Sequence, residues 1–272
     1  MSISCCSRGS NRNRGNTNLG LCVCTDCTSG WQFLHTESVS WNAIGSTLRD
    51  LDQPEEALAA IEQALSLDPQ HAAAWTDKAG ALRSLRRYEE ALAAYEQALS
   101  LDPQDALPWK NKGVTLHLLA RHEEALAAIE QALHLDPNCA DTWACKGNAL
   151  RDLGRYKEAL ATFERALQLD PQHAPTWINK GAALFAFKRY EEALAAFEQA
   201  LCLDPQHAAA WTNKGNTLLA LKQPEEALIA FRQALLLDPA LVSIIVSALG
   251  TQGLVAEAGE IEAWVRVQRN RS

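Results

Sequence analysis

Apolar residues along this chain fall at helical spacing, and one pattern of them returns every 34 residues. In "AAAWTDKAGALRSL", Trp75, Ala79 and Leu82 stand at i, i+4 and i+7, one stripe of an amphipathic helix. The stretch "EEALAAYEQALSL" repeats the spacing with Ala91, Tyr95 and Ala98 among strong helix formers. Two glutamates open it, where the positive end of the helix dipole favours acids. "DPQ" closes it, because proline cannot continue a helix and disfavours helical geometry in the residue before it. A helix of about a dozen residues is marginal alone, so each predicted pair must bury its stripes within itself and against its neighbours.

The period is set by Pro69, Pro103, Pro137, Pro171, Pro205 and Pro239, and by Trp41, Trp75, Trp109, Trp143, Trp177 and Trp211. These place six units at 38–71, 72–105, 106–139, 140–173, 174–207 and 208–241. A repeat this regular predicts an elongated stack in which each unit touches only the units beside it. Residues 1–37 show no period, and the rich supply of Ser, Asn, Gly and Arg at their start predicts a disordered, cysteine-containing segment. Residues 242–272 lose the tryptophan and the "LDP", yet Leu254, Ala258, Ile261 and Val265 keep helical spacing beside Trp264. They are read as degenerate capping helices with a polar outer face, the alternatives being that they fill the groove or mediate oligomers.

Charge and cysteine usage narrow the partners. The formal charge is −8, and since three of the 25 basic and two of the 33 acidic residues lie in 1–37, the rest of the chain carries −9. Nucleic acid, which requires clustered Lys and Arg, is not an expected partner. No run of about 18 apolar residues exists to span a bilayer, and the start lacks the apolar segment of a secretory signal, so no membrane is expected. Cys139, Cys145 and Cys202 recur in no repeated framework and are read as reduced thiols, which fits a cytoplasmic protein. Cys22, Cys24 and Cys27 are the candidates for a metal, but zinc modules show two spaced pairs in an ordered framework, and the reading is no metal and no cofactor. P-loop, Rossmann glycine run, HExxH and GxSxG are all missing, and the expectation is that the chain is not an enzyme.

The 34-residue pattern W-x2-L-G-x2-Y, A-x3-F, P resembles the tetratricopeptide repeat, a helix–turn–helix unit. It stands here as Trp109, Gly113, Leu116, Ala125, Ile129 and Pro137, and again as Trp177, Gly181, Leu184, Ala193, Phe197 and Pro205. The resemblance covers 38–241. Two departures recur: lysine at Lys78, Lys112, Lys146, Lys180 and Lys214 where the family usually has leucine, and leucine where it has tyrosine. The lysine stems are expected to pack while their heads reach water.

The resemblance implies an all-α solenoid of antiparallel helix pairs in a right-handed superhelix, with the first helix of each unit lining a concave groove. It also implies a protein partner, engaged as an extended peptide or a helix. The family's sixth groove place maps to Asp77, Asn111, Cys145, Asn179 and Asn213, an asparagine ladder suited to gripping a peptide backbone because an amide both donates and accepts. Lys110 and Arg151 belong to a charged lining early in the array; Ile178, Phe185 and Leu219, beside Asn216, form an expected apolar anchor late in it. Lys110 is followed by Val114 and no unit has arginine at the sixth place, so the family's clamp for chaperone C-terminal carboxylates is absent. The expected function is a non-enzymatic interaction scaffold. The alternative is self-assembly through the terminal repeats, giving a homo-oligomer.

Overall fold

In the computed structural model the backbone is described for residues 25–269 and the side chains for 35–267. Cys22 and Cys24, and the side chain of Cys27, lie outside those residues. Among the described residues every regular element is helical. Unit one is α1 (Thr25–Asp50) and α2 (Pro54–Leu67), unit two α3 (Ala72–Ser84) and α4 (Tyr88–Leu101), unit three α5 (Ala106–Leu118) and α6 (His122–Leu135). Unit four is α7 (Ala140–Asp152) and α8 (Tyr156–Leu169), unit five α9 (Ala174–Ala186) and α10 (Tyr190–Leu203), unit six α11 (Ala208–Ala220) and α12 (Pro224–Leu237). A 3-10 turn, Pro239–Leu241, leads into α13 (Val242–Thr251) and α14 (Val255–Arg269). The expected boundary at residue 38 falls inside α1, which begins at Thr25, so 25–37 is helical where an irregular segment was expected.

Each unit is closed by the same local chemistry. The first helix ends on a residue in the left-handed region, at Asp52, Arg86, Ala120, Gly154, Lys188 and Lys222. The next amide bonds back across the turn, Arg87 N to Leu82 O at 2.9 Å and Arg189 N to Leu184 O at 2.9 Å, which satisfies a carbonyl at the helix end. The second helix ends on the aspartate of "DP", held extended by the proline after it. Its carboxylate accepts the amide two residues on, as in Asp102 Oδ1 with Gln104 N at 3.0 Å. Within the unit, Gly113, Gly147, Gly181 and Gly215 let the first helix ride on the buried residue of the second. A Cβ there would come 2.4–2.7 Å from Ile129, Phe163, Phe197 or Phe231.

Between units the contacts form one seam, written five times. Each lysine at the recurrent departure meets a glutamate on the second helix of the preceding unit: Lys78–Glu62, Lys112–Glu96, Lys146–Glu130, Lys180–Glu164 and Lys214–Glu198, at 2.8 to 3.4 Å. The same ammonium sits 5.4–5.8 Å from the ring centroid of its own unit's tryptophan. That tryptophan donates its Nε1–H to the carbonyl of the preceding unit's proline, from 2.9 Å at Trp143 and Trp211 to 3.3 Å at Trp109. The stems pack as the sequence implied, but the ammonium groups are ion-paired, not simply bathed in water.

Successive first helices touch one another along the array, while successive second helices hardly do. The stack therefore curves with its first helices on the inside, the arrangement of an α-solenoid with a concave face. At the far end Ile245, Leu249, Ala258, Ile261 and Val265 are buried in one core with Phe231 and Leu235 of unit six. At the near end Trp41 and Ile44 are 40% and 47% exposed, and among the described residues no earlier helix pair covers them.

Candidate functional site

The concave face starts with a closed polar knot. Asp77, on α3, accepts hydrogen bonds from Asn42 Nδ2 at 2.9 Å and Ser46 Oγ at 2.8 Å on one oxygen, and Arg49 Nη1 at 2.7 Å on the other. All three donors are on α1, so Asp77 fastens unit one to unit two. The sequence explains the fit: unit two carries glycine one place later than its neighbours, and a Cβ on Gly80 would lie 2.9 Å from the Arg49 guanidinium. The aspartate expected to start the ladder is thus already engaged.

Beyond the knot the ladder is open. Asn111, Asn179, Asn213 and Asn216 are half-buried, and their side chains make no hydrogen bond among the described residues. Only the backbone carbonyls of Asn111 and Asn213 are used, accepting from Thr115 Oγ1 and Thr217 Oγ1. Asn111 shares a cleft of 220 Å³ with Arg49, Asp77, Arg83 and Leu107. Lys110 lines a second cleft, of 230 Å³, with Asp105, Asp136, Cys139 and Thr142. Its ammonium forms no ion pair among the described residues. Cys145 interrupts the ladder; burial pushes its thiol up, against the thiolate form that a reactive cysteine needs.

Farther along, the side chains differ from expectation in two places. Arg151 is turned onto its neighbour, Nε to Asp152 Oδ1 at 2.8 Å, and so is partly spent within the chain. Leu219 is only 7% exposed and belongs to the C-terminal core, which removes it from the expected anchor. Ile178 and Phe185 remain half-buried on the core shared by units four and five, with Phe185 tilted against Tyr190 at 5.3 Å between centroids. Of the three residues expected to form an anchor, Ile178 and Phe185 stay partly accessible.

His117, also on this face, lies 3.4 Å through Nε2 from Asp152 Oδ2 on the next unit. Burial pushes its imidazole below the ordinary histidine value despite that carboxylate. His71, His173 and His207, each following "DPQ", stand at helix N-caps: His71 Nδ1 meets Ser38 Oγ at 2.9 Å, His173 Nδ1 meets Thr176 Oγ1 at 2.7 Å, and His207 Nδ1 accepts from Ala210 N at 3.2 Å. No helix among the described residues is long and apolar enough to cross a membrane.

Comparison with known proteins agrees with this geometry. The pattern described as Tetratricopeptide repeat matches residues 42–106, 138–206, 82–149 and 184–243. No curated protein matches the chain. Among solved structures, YrrB, described as a TPR protein with an unusual peptide-binding site, is 28% identical, with a TM-score of 0.55 over 72% of this chain and 98% of that one. PilW, a type IV pilus biogenesis factor, superposes at a TM-score of 0.70 with 24% identity, over 74% of this chain and 94% of that one. The Cut9-Hcn1 assembly of the APC/C superposes at 0.72 with 22% identity, over 84% of this chain but 46% of that one. At those identities the last two speak to fold alone.

Proposed function

We propose, on the premise that this chain belongs to the tetratricopeptide repeat family, that its concave face holds an extended segment of a partner protein. The repeats make the chain a protein–protein interaction scaffold; the manner of holding is the proposal. The observation that carries it is the row of unspent amides at Asn111, Asn179, Asn213 and Asn216, half-buried and unbonded among the described residues. These amides are open to solvent, since none of their atoms is a buried orphan, and a peptide backbone can take the place of water on both their donor and their acceptor. Lys110 adds an open positive charge at one end, and Ile178 with Phe185 an apolar contact at the other. A ligand that is acidic near one terminus and carries a large apolar side chain a few residues away fits that order. YrrB, with its peptide-binding site, supports a peptide as the occupant.

Selection of linear peptides displayed on phage against the purified chain provides the ligand. Asn179→Ala and Asn213→Ala together should weaken the selected peptide by roughly 1–3 kcal/mol, since each removes a desolvated hydrogen-bonding group. Equal affinity for the double variant overturns the ladder. Self-assembly is favoured by one separate feature, the exposed Trp41 and Ile44 on the open face of unit one. If it occurs, Ile44→Lys should return the chain to a monomer in sedimentation; a monomeric parent chain disposes of this second reading.

A further inference from the structure

Unit three breaks the repeat at two places at once. His117 occupies a position held by Arg49, Arg83, Arg151, Phe185 and Leu219 in the other units, and His122 one held by Pro54, Tyr88, Tyr156, Tyr190 and Pro224. The two substitutions flank one turn, at the end of α5 and the start of α6, and the imidazole centroids lie 5.1 Å apart at a 60° tilt. From unit four, Asp152 at the end of α7 points Oδ2 at His117. One ligand atom from each of His117, His122 and Asp152 lies within 4.8 Å of the other two. Nδ1 of each imidazole is buried without a hydrogen-bond partner among the described residues; on His117 the nitrogen that faces Asp152 is Nε2, so its Nδ1 is not the atom offered to an ion.

We infer that His117, His122 and Asp152 form a binding site for a divalent transition ion, zinc by ligand type. Two imidazole nitrogens and one carboxylate oxygen are a donor set that zinc takes with a fourth position left for water, whereas magnesium and calcium require oxygen throughout. Zinc bonds of about 2.0–2.1 Å put tetrahedral ligands about 3.4 Å apart. His117 Nε2 and Asp152 Oδ2 stand at that separation already, whereas the His122 ligand atom, no more than 4.8 Å from either, has to rotate closer to complete the set. Arg151 holds the other carboxylate oxygen, Oδ1, at 2.8 Å, fixing which oxygen faces the imidazoles as outer partners of metal ligands do. The ion joins α5, α6 and α7 across the boundary of units three and four and sets the curvature of the groove there. The site is independent of what the groove holds.

The test is titration of the full chain, stripped of metal under reducing conditions, with Co²⁺ followed by displacement with Zn²⁺. One equivalent should give visible ligand-field bands without the near-ultraviolet charge-transfer band of thiolate ligation. His122→Gln and Asp152→Asn should each weaken that equivalent by at least the roughly 10–100-fold that loss of an outer-shell partner costs. His134→Gln, at an exposed histidine, should change nothing, and circular dichroism should show equal helicity throughout. The inference is overturned if no equivalent binds, if both ligand variants bind as tightly as the parent, or if all bound Co²⁺ shows the thiolate band and so belongs to the cysteines.

Discussion

The outer seam and the concave face of this array are made by the same helices under opposite rules. At the seam, five successive junctions use the same glutamate, lysine, tryptophan and proline carbonyl, with ion pairs of 2.8–3.4 Å and indole hydrogen bonds of 2.9–3.3 Å. On the concave face units two to five each present a different set: a saturated aspartate in unit two, a free asparagine and lysine in unit three, a half-buried thiol in unit four, an apolar patch in unit five. Packing one helix pair on the next imposes a single geometry, and a single geometry admits few solutions. Beyond the Asp77 knot the inner face has no such repeated junction, so its residues are free to differ, and that freedom is what suits it to the proposed recognition.

The comparison is attacked most strongly through the core beneath both faces. Phe163 is fully buried between α7 and α8, so Phe163→Ala should cost about 3–5 kcal/mol. Urea unfolding followed by circular dichroism measures it; because units interact only with neighbours, a split transition is the expected form of the damage. A loss below about 1 kcal/mol would mean that the helix pairs do not depend on their shared interior. Gly181→Ala is next. The new methyl would stand 2.7 Å from Phe197, and overpacking of this kind costs roughly 1–3 kcal/mol. No change in the unfolding midpoint would show that the α9–α10 contact gives way cheaply.

Much of this fold was legible in the letters because the period did the work of an alignment. Trp75, Ala79 and Leu82 announced one helix, "DPQ" the end of the next, and six returns of the phrase announced the stack. The lysines were harder: a single helix shows Lys146 beside Trp143 but not Glu130, which reaches it from the preceding unit. Leu219 was misplaced because it is buried in a core that takes in Ile245, Leu249 and Ile261, whose sequence had lost the repeat and with it the register. Asp77 looked like a rung of the ladder because position alone does not reveal that Arg49, Asn42 and Ser46 converge on it. The histidine pair of unit three left a readable signal, two departures in one unit, but Asp152 joins them only through the stacking.

Two smaller effects separate the seam from the turns that carry it. Lys188 sits at φ 62° in the left-handed region where unit four has Gly154. Lys188→Gly should relieve that strain and raise stability by up to about 1 kcal/mol, the gain being limited by the freedom glycine adds to the unfolded chain. A lowered thermal midpoint would place some other demand on that turn. Lys146→Ala removes one ion pair with Glu130 and one contact with Trp143. Its cost should be about 0.5–1 kcal/mol and should shrink in high salt, as expected for a partly screened surface pair. A salt-independent loss would assign the lysine's role to its stem instead of its charge.

The smallest effect discriminates best. Asn179 lies between the apolar patch of unit five and the open ladder, and its side chain bonds to nothing among the described residues. If the inner face is free of packing duty, Asn179→Ala should change unfolding free energy by no more than about 0.5 kcal/mol in either direction. The same substitution at the seam, Trp177→Ala, would remove both a hydrogen bond to Pro171 and a partner for Lys180. A measured loss near 1 kcal/mol or more for Asn179→Ala would show that the amide supports the fold, and the division between a repeated structural face and a variable recognition face would then fail at the residue where it is drawn most sharply.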